Sequence, residues 1–115
     1  MDTFENLKVW KRSSRLCADL YKAFSESREW DFKSQIIRSA LSIPSNIAEG
    51  YERNSIKEYA RFLKIAKGSC GELRTQLYIA KDVEMLRQDE VDGFLQESVA
   101  ISKMLQGLIG RLEKP

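Results

Sequence analysis

The stretch SIKEYARFLKIAKGSCGELRTQLYIAKD, residues 55–82, decides how this chain folds. Within it Tyr59, Leu63, Ala66, Cys70, Leu73, Leu77 and Ala80 recur at alternating steps of four and three. That spacing returns an apolar side chain to one face of an α-helix, whereas a strand would need alternation by two. Ser55 with Glu58 three residues later forms a capping box. The serine oxygen accepts a first-turn amide while the glutamate reaches back to the cap. The predicted helix runs from this cap to about Asp82.

Working outward, three more segments show the same period. On the N-terminal side, Leu7, Trp10, Ser14, Cys17, Tyr21 and Phe24 form a seam, with Asp2 or Asn6 as rival caps. A second predicted helix spans about Phe32 to Ala48 behind Asp31 as its cap, with Ile36, Ala40, Ile43, Ile47 and Tyr51 on its seam. Pro44 lies inside that pattern. It removes the amide that would bond the Ala40 carbonyl, so a kink is expected there. Gly50 suits the left-handed position that closes a helix. Trp30 and Phe32, at the link to the first helix, are expected to close the end of the structure.

Beyond residue 82 a fourth helix is predicted from about Gln88. Asp89, Glu90 and Asp92 suit its positive N-terminus, and Val91, Phe94, Ser98, Ile101, Leu105, Leu108 and Leu112 make its seam. Helices joined by short links run antiparallel to their chain neighbours. The expected fold is therefore an all-α, antiparallel up-down-up-down four-helix bundle, one domain over residues 1–115.

Composition narrows the function. Histidine is absent, which removes the commonest general base and metal ligand. Cys17 and Cys70 stand in no Cys-x-x-Cys spacing and lack a signal peptide upstream, so a reducing, cytoplasmic setting is expected. The seams carry no Asp or Glu for a metal site. No catalytic, metal or cofactor site is predicted, and no apolar run is long enough for a bilayer. The net charge of +2 is small, but residues 1–81 carry fifteen Lys/Arg against ten Asp/Glu and residues 82–115 carry four against seven.

Outward faces remain as candidate sites. On a helical wheel Lys57, Lys64, Lys67, Arg74 and Lys81 share one flank of the third helix, with no acid until Asp82. Such a row can track a phosphate backbone. Equally, it can be a solvated face with partners on neighbouring helices. Gly68 and Gly71 lie in the same sector, and each glycine costs a helix about 1 kcal/mol relative to alanine. Either a second backbone passes close there or the weakness is tolerated. On the second helix Arg38, Ser42, Ser45, Asn46, Glu49 and Arg53 are expected opposite the seam, with Glu49 and Arg53 at ion-pair spacing. That row reads as a polar subunit interface or as an ordinary polar face.

The run Ser34 to Gly50, SQIIRSALSIPSNIAEG, resembles the signature of a bacterial family, the 23S rRNA intervening-sequence proteins. Leu7-Lys8-Val9-Trp10, the run from Phe62 to Ser69, and Glu72-Leu73 resemble further motifs of that family. The resemblance implies a four-helix bundle assembling as a homopentamer, related to the accessory protein of diversity-generating retroelements, which binds nucleic acid and a reverse transcriptase. The expected function is that of a non-enzymatic homo-oligomer binding RNA or DNA as a ribonucleoprotein accessory. The alternative is an oligomeric scaffold for a protein partner.

Overall fold

A computed structural model gives the structure and describes residues 2–115. A 3-10 turn, Phe4–Asn6, precedes α1 (Lys8–Ala23), α2 (Trp30–Glu52), α3 (Ile56–Asp82) and α4 (Gln88–Leu112). Strands are absent among the described residues. The molecule measures 46 × 22 × 21 Å, and a helix of α3's length spans about 40 Å, so the rods lie along the long axis.

Side-chain contacts fix the directions. Ser42 bonds Ser69 at 2.8 Å, while Gly50 lies against Tyr59 and Phe62, so α2 and α3 run oppositely. Lys64 reaches Glu113 and Lys81 reaches Asp92, which sets α3 against α4 in the same way. Arg12 of α1 binds Glu97 of α4 through two nitrogens and closes the ring of helices. The bundle is up-down-up-down.

One core joins all four helices. It is built on Leu16, Leu20, Ile36, Ile43, Ile47, Leu63, Leu73, Leu77, Ile101 and Leu105, among others. In α3 the expected seam is buried from Leu63 to Ala80, and only Tyr59 is half-buried. Ser55 Oγ accepts the Glu58 amide at 3.2 Å, which is half of the expected capping box; the Glu58 carboxylate accepts from Arg61 instead of reaching back to the Ser55 amide.

Elsewhere the expectations need correction. In α1 the buried line is Val9, Ser13, Leu16, Leu20 and Phe24, and Tyr21 is 62% exposed. Trp10 and Cys17 are only half-buried. The 3-10 turn explains part of this: Phe4 meets Trp10 edge-on at 5.3 Å and covers it from outside the core. No side chain caps α1 or α2, so the predicted cap roles of Asp2, Asn6 and Asp31 are not filled. Trp30 does not close the bundle's end, being 66% exposed with Lys33 over its ring.

Gly50 is also not a helix terminus. The α2 helix continues through Pro44 and past Gly50 to Glu52, and Asn54 takes the left-handed conformation instead, at φ 56°. Asparagine is one of the few residues that visits it readily. Gly50 is buried, and a Cβ there would stand 2.7 Å from Phe62 Cβ. Its missing side chain sets how closely α2 and α3 approach.

Candidate nucleic-acid interface on the third helix

In the polar row of α2, Arg38, Ser45, Glu49 and Arg53 are exposed as expected, but two members depart from the outward face. Ser42 and Asn46 are half-buried, and Ser42 meets α3. Ser42 and Ser69 share a hydrogen bond, and Asn46 Nδ2 donates to both the carbonyl and hydroxyl oxygens of Ser42. Arg53 pairs with Glu49 at 2.9 Å, as its spacing predicts, and lies over the Phe62 ring. Arg38 is exposed on the rim of a depression shared with Gln35, Ser42, Glu72 and Gln76. Much of this row holds the chain to itself.

The cationic flank of α3 is not free of acids either. Lys64 Nζ stands 2.6 Å from Glu113, the C-cap of α4, and Lys81 Nζ stands 2.8 Å from Asp92 in its first turns. The hydrogen bond to Asp92 raises the Lys81 pKa. Lys57 is exposed near the start of the helix. Lys67 and Arg74 differ from the paired members. Both are half-buried, and neither forms an ion pair among the described residues.

These two cations line an open trough of about 490 Å³ between α3 and α4. Lys64, Gly68, Ser102, Gln106, Ile109 and Glu113 complete its walls. Nothing stands within 4 Å of a Cβ built at Gly68. At Gly71 the nearest atom is Arg74 Nη2, at 3.9 Å, so the guanidinium lies back along the helix toward the Lys67 turn. Cys70 sits beneath, within electrostatic reach of both cations. Burial nevertheless dominates and pushes its thiol up to about 11, so it is a neutral core group and no nucleophile.

The α4 wall was not anticipated. Ser102, Gln106, Ile109 and Glu113 follow helical spacing and so share a face. The register that sets this face against Lys67 and Arg74 depends on packing between helices, which no single helix encodes. Chemically, the trough offers two charged donors and two neutral polar side chains to an anion. Among the described residues no group of three or more His, Cys, Asp or Glu gathers as metal ligands, and no helix is long and apolar enough to cross a membrane.

Fold and site together define a small four-helix bundle with a cationic trough between its last two helices. The chain belongs to the family described as 23S rRNA-intervening sequence protein, which it matches over residues 5–107. It is similar to a crystal structure of a protein with unknown function from the S23 ribosomal protein family from Bacteroides thetaiotaomicron VPI-5482. The two are 26% identical with a TM-score of 0.82, and the match covers 88% of this chain and 97% of the other. A comparison with curated proteins gave no match.

Proposed function

We propose that this chain is a non-enzymatic homo-oligomer, a pentamer, that binds nucleic acid along α3, RNA foremost, as a ribonucleoprotein accessory. The observation that carries this reading is the pair Lys67 and Arg74, half-buried in one trough without an acid partner. Two like charges on one wall of a trough, with no acid paired to either, raise a local positive potential that an anion would meet. The family's description, which ties it to a sequence within 23S rRNA, supports RNA as that anion.

Self-association is supported by the outer surface. Gly93 and Gly110 have nothing within 4 Å of a Cβ position, so no contact within the chain offsets their helix cost of about 1 kcal/mol each. Leu41, Ile65, Tyr78 and Ile79 are exposed apolar side chains on α2 and α3. Contact with further copies would cover both features. Arg38, Glu49 and Arg53, on the rim of α2, belong to this proposed interface.

Titrating a fluorescent 23S rRNA fragment across a salt series tests the binding. The logarithm of affinity should fall by about 0.7 per phosphate neutralised for each tenfold rise in salt. Absence of binding at low salt, or binding indifferent to salt, would refute it. Mass in solution reports the oligomer. The second reading, a protein scaffold without nucleic acid, draws on the exposed Trp30, Tyr78 and Val83. A protein partner that stays bound after nuclease treatment, with no RNA affinity in the purified chain, would establish that reading instead.

A further inference from the structure

We infer that the α3–α4 trough is a discrete site for one phosphate of a nucleic-acid strand, held by Arg74 and Lys67 over the open surface at Gly68. This deepens the function proposed above and rests on it for the identity of the ligand. It differs from a diffuse basic flank, because it assigns the contact to one place and to a shape as well as a charge.

Three features point to the trough. First, its two free cations line the same wall of the trough. Arg74 starts two turns beyond Lys67, and its guanidinium lies back over Gly71, on the Lys67 side of its own turn. A guanidinium offers a planar fork that fits phosphate, while a lysine supplies a point charge. Second, glycine at 68, which also lines the trough, leaves open a wall that a longer side chain would fill. A strand's phosphate needs that close approach. Third, the trough's 490 Å³ is larger than a lone ion needs. It falls within the roughly 300–1,000 Å³ of small-ligand pockets. The volume admits a phosphate with part of its sugar, which Ser102 and Gln106 can hydrogen-bond.

Glu113 is the dissonant member, since a carboxylate repels phosphate. Its charge is met by Lys64 at 2.6 Å. The pair therefore occupies one end of the trough as a neutral unit and leaves the net positive charge on Lys67 and Arg74. Removing the acid while keeping its shape would release Lys64 to the phosphate. The site can thus be tightened as well as weakened, which a purely structural set of side chains would not allow.

The test uses the full chain, a fluorescent oligouridine RNA, its DNA counterpart and inorganic phosphate. Arg74→Gln and Lys67→Gln should each weaken strand binding about tenfold, the loss of one charge-assisted hydrogen bond. Lys57→Gln, exposed and outside the trough, should change it by less than about twofold. Gly68→Leu adds no charge and its Cβ meets nothing within the chain, yet it should weaken binding by a similar factor to Arg74→Gln. Glu113→Gln should tighten it severalfold. Mass in solution is read for every variant. If Gly68→Leu alters assembly, Gly71→Leu repeats the shape test by displacing the guanidinium.

Equal losses in Lys57→Gln and Arg74→Gln, with none in Gly68→Leu, would overturn the discrete site and leave nucleic-acid binding intact. Should wild type bind neither strand, the functional reading fails, and inorganic phosphate decides the trough separately. Phosphate-dependent thermal stabilisation that disappears in Arg74→Gln and Gly68→Leu would keep the site as one for a phosphate group. No stabilisation would remove it. Equal RNA and DNA affinity would place recognition on the phosphate, whereas preference for RNA would bring in the 2′-hydroxyl.

Discussion

Gly50 and Gly68 are the same residue on the two flanks of α3, and they are there for opposite reasons. At the α2–α3 junction Gly50 is buried against Phe62 and Tyr59, and small residues continue the contact through Ser42 and Ser69. At the α3–α4 junction Gly68 faces open space, and the helices are bridged at their rims by Lys64–Glu113 and Lys81–Asp92. One flank is packed until nothing can be added. The other shares the apolar core beneath but is bridged at its rim by two ion pairs and left open between them. A single helix thus carries a structural side and a side available for binding, and the same glycine can serve either one.

The widest separation between the flanks comes from adding atoms to each. At Gly50 the clash is with Phe62 Cβ, which lies next to the backbone and cannot swing away. Gly50→Val should destabilise the fold by about 3 kcal/mol, even though valine is the better helix former. In thermal melts that is a fall in Tm on the order of 10 °C for a domain of this size. An unchanged Tm would mean that α2 and α3 are not in close contact there.

The next effect comes from the middle of α3, beneath both flanks. Burial holds the folded Cys70 pKa at about 11, above the roughly 8.5 of an unfolded cysteine. A raised folded pKa contributes stability that is fully present below the unfolded value and lost as pH rises through the folded one. Stability should therefore decline between about pH 8.5 and 11, by about 1–2 kcal/mol at pH 10. Denaturant midpoints measured across that range should lose this increment in Cys70→Ala. Tyr59, also raised by burial, adds a separate loss at higher pH. Because Arg74 and Lys67 lower the Cys70 pKa, Arg74→Gln should leave the onset of the decline unchanged and extend it to slightly higher pH, with a larger total loss, tying the open flank to the core.

Gly68→Ala reverses the sign seen at Gly50. No atom lies within 4 Å of the added Cβ, so only the helix preference remains. The chain should gain up to about 1 kcal/mol, read as a higher denaturant midpoint with an unchanged slope. A loss instead would show that another copy of the chain already fills the space.

How much of this the sequence discloses depends on whether a feature is local. The extent of α3, its cap at Ser55 and its buried line all follow from residues within a few turns of one another. They were legible, as was the start of α4 at Gln88. In α1 two apolar lines about 100° apart compete, one through Trp10 and Tyr21 and the other through Leu16 and Leu20. Large aromatic rings drew the expected seam to the first, whereas the aliphatic line faces the core. The deciding contacts, Phe4 against Trp10 and Arg12 on Glu97, depend on the 3-10 turn and on another helix. Gly50 failed for a related reason. Its fit as a terminator is local, and its contact with Phe62 is not, although Asn54 just before the Ser55 cap offered a better site for the reversal. The cations of the trough were visible individually; which of them α4 neutralises was not.

The smallest effect on stability distinguishes the ends of the open flank from its middle. Lys64 and Glu113 are each about half exposed, at 55% and 48% for their side chains, so water and salt screen their attraction. Glu113→Gln should change stability by no more than a few tenths of a kcal/mol, detectable only as a small shift in denaturant midpoint. If the pair acted as a clasp between α3 and α4, the loss would approach that of a buried ion pair, several kcal/mol, and would persist in high salt. A near-zero change places the cohesion of this junction in the apolar core, in Leu73, Leu77, Ile101 and Leu105. The trough could then open or fill without disturbing the fold, which is the property a binding surface on α3 requires.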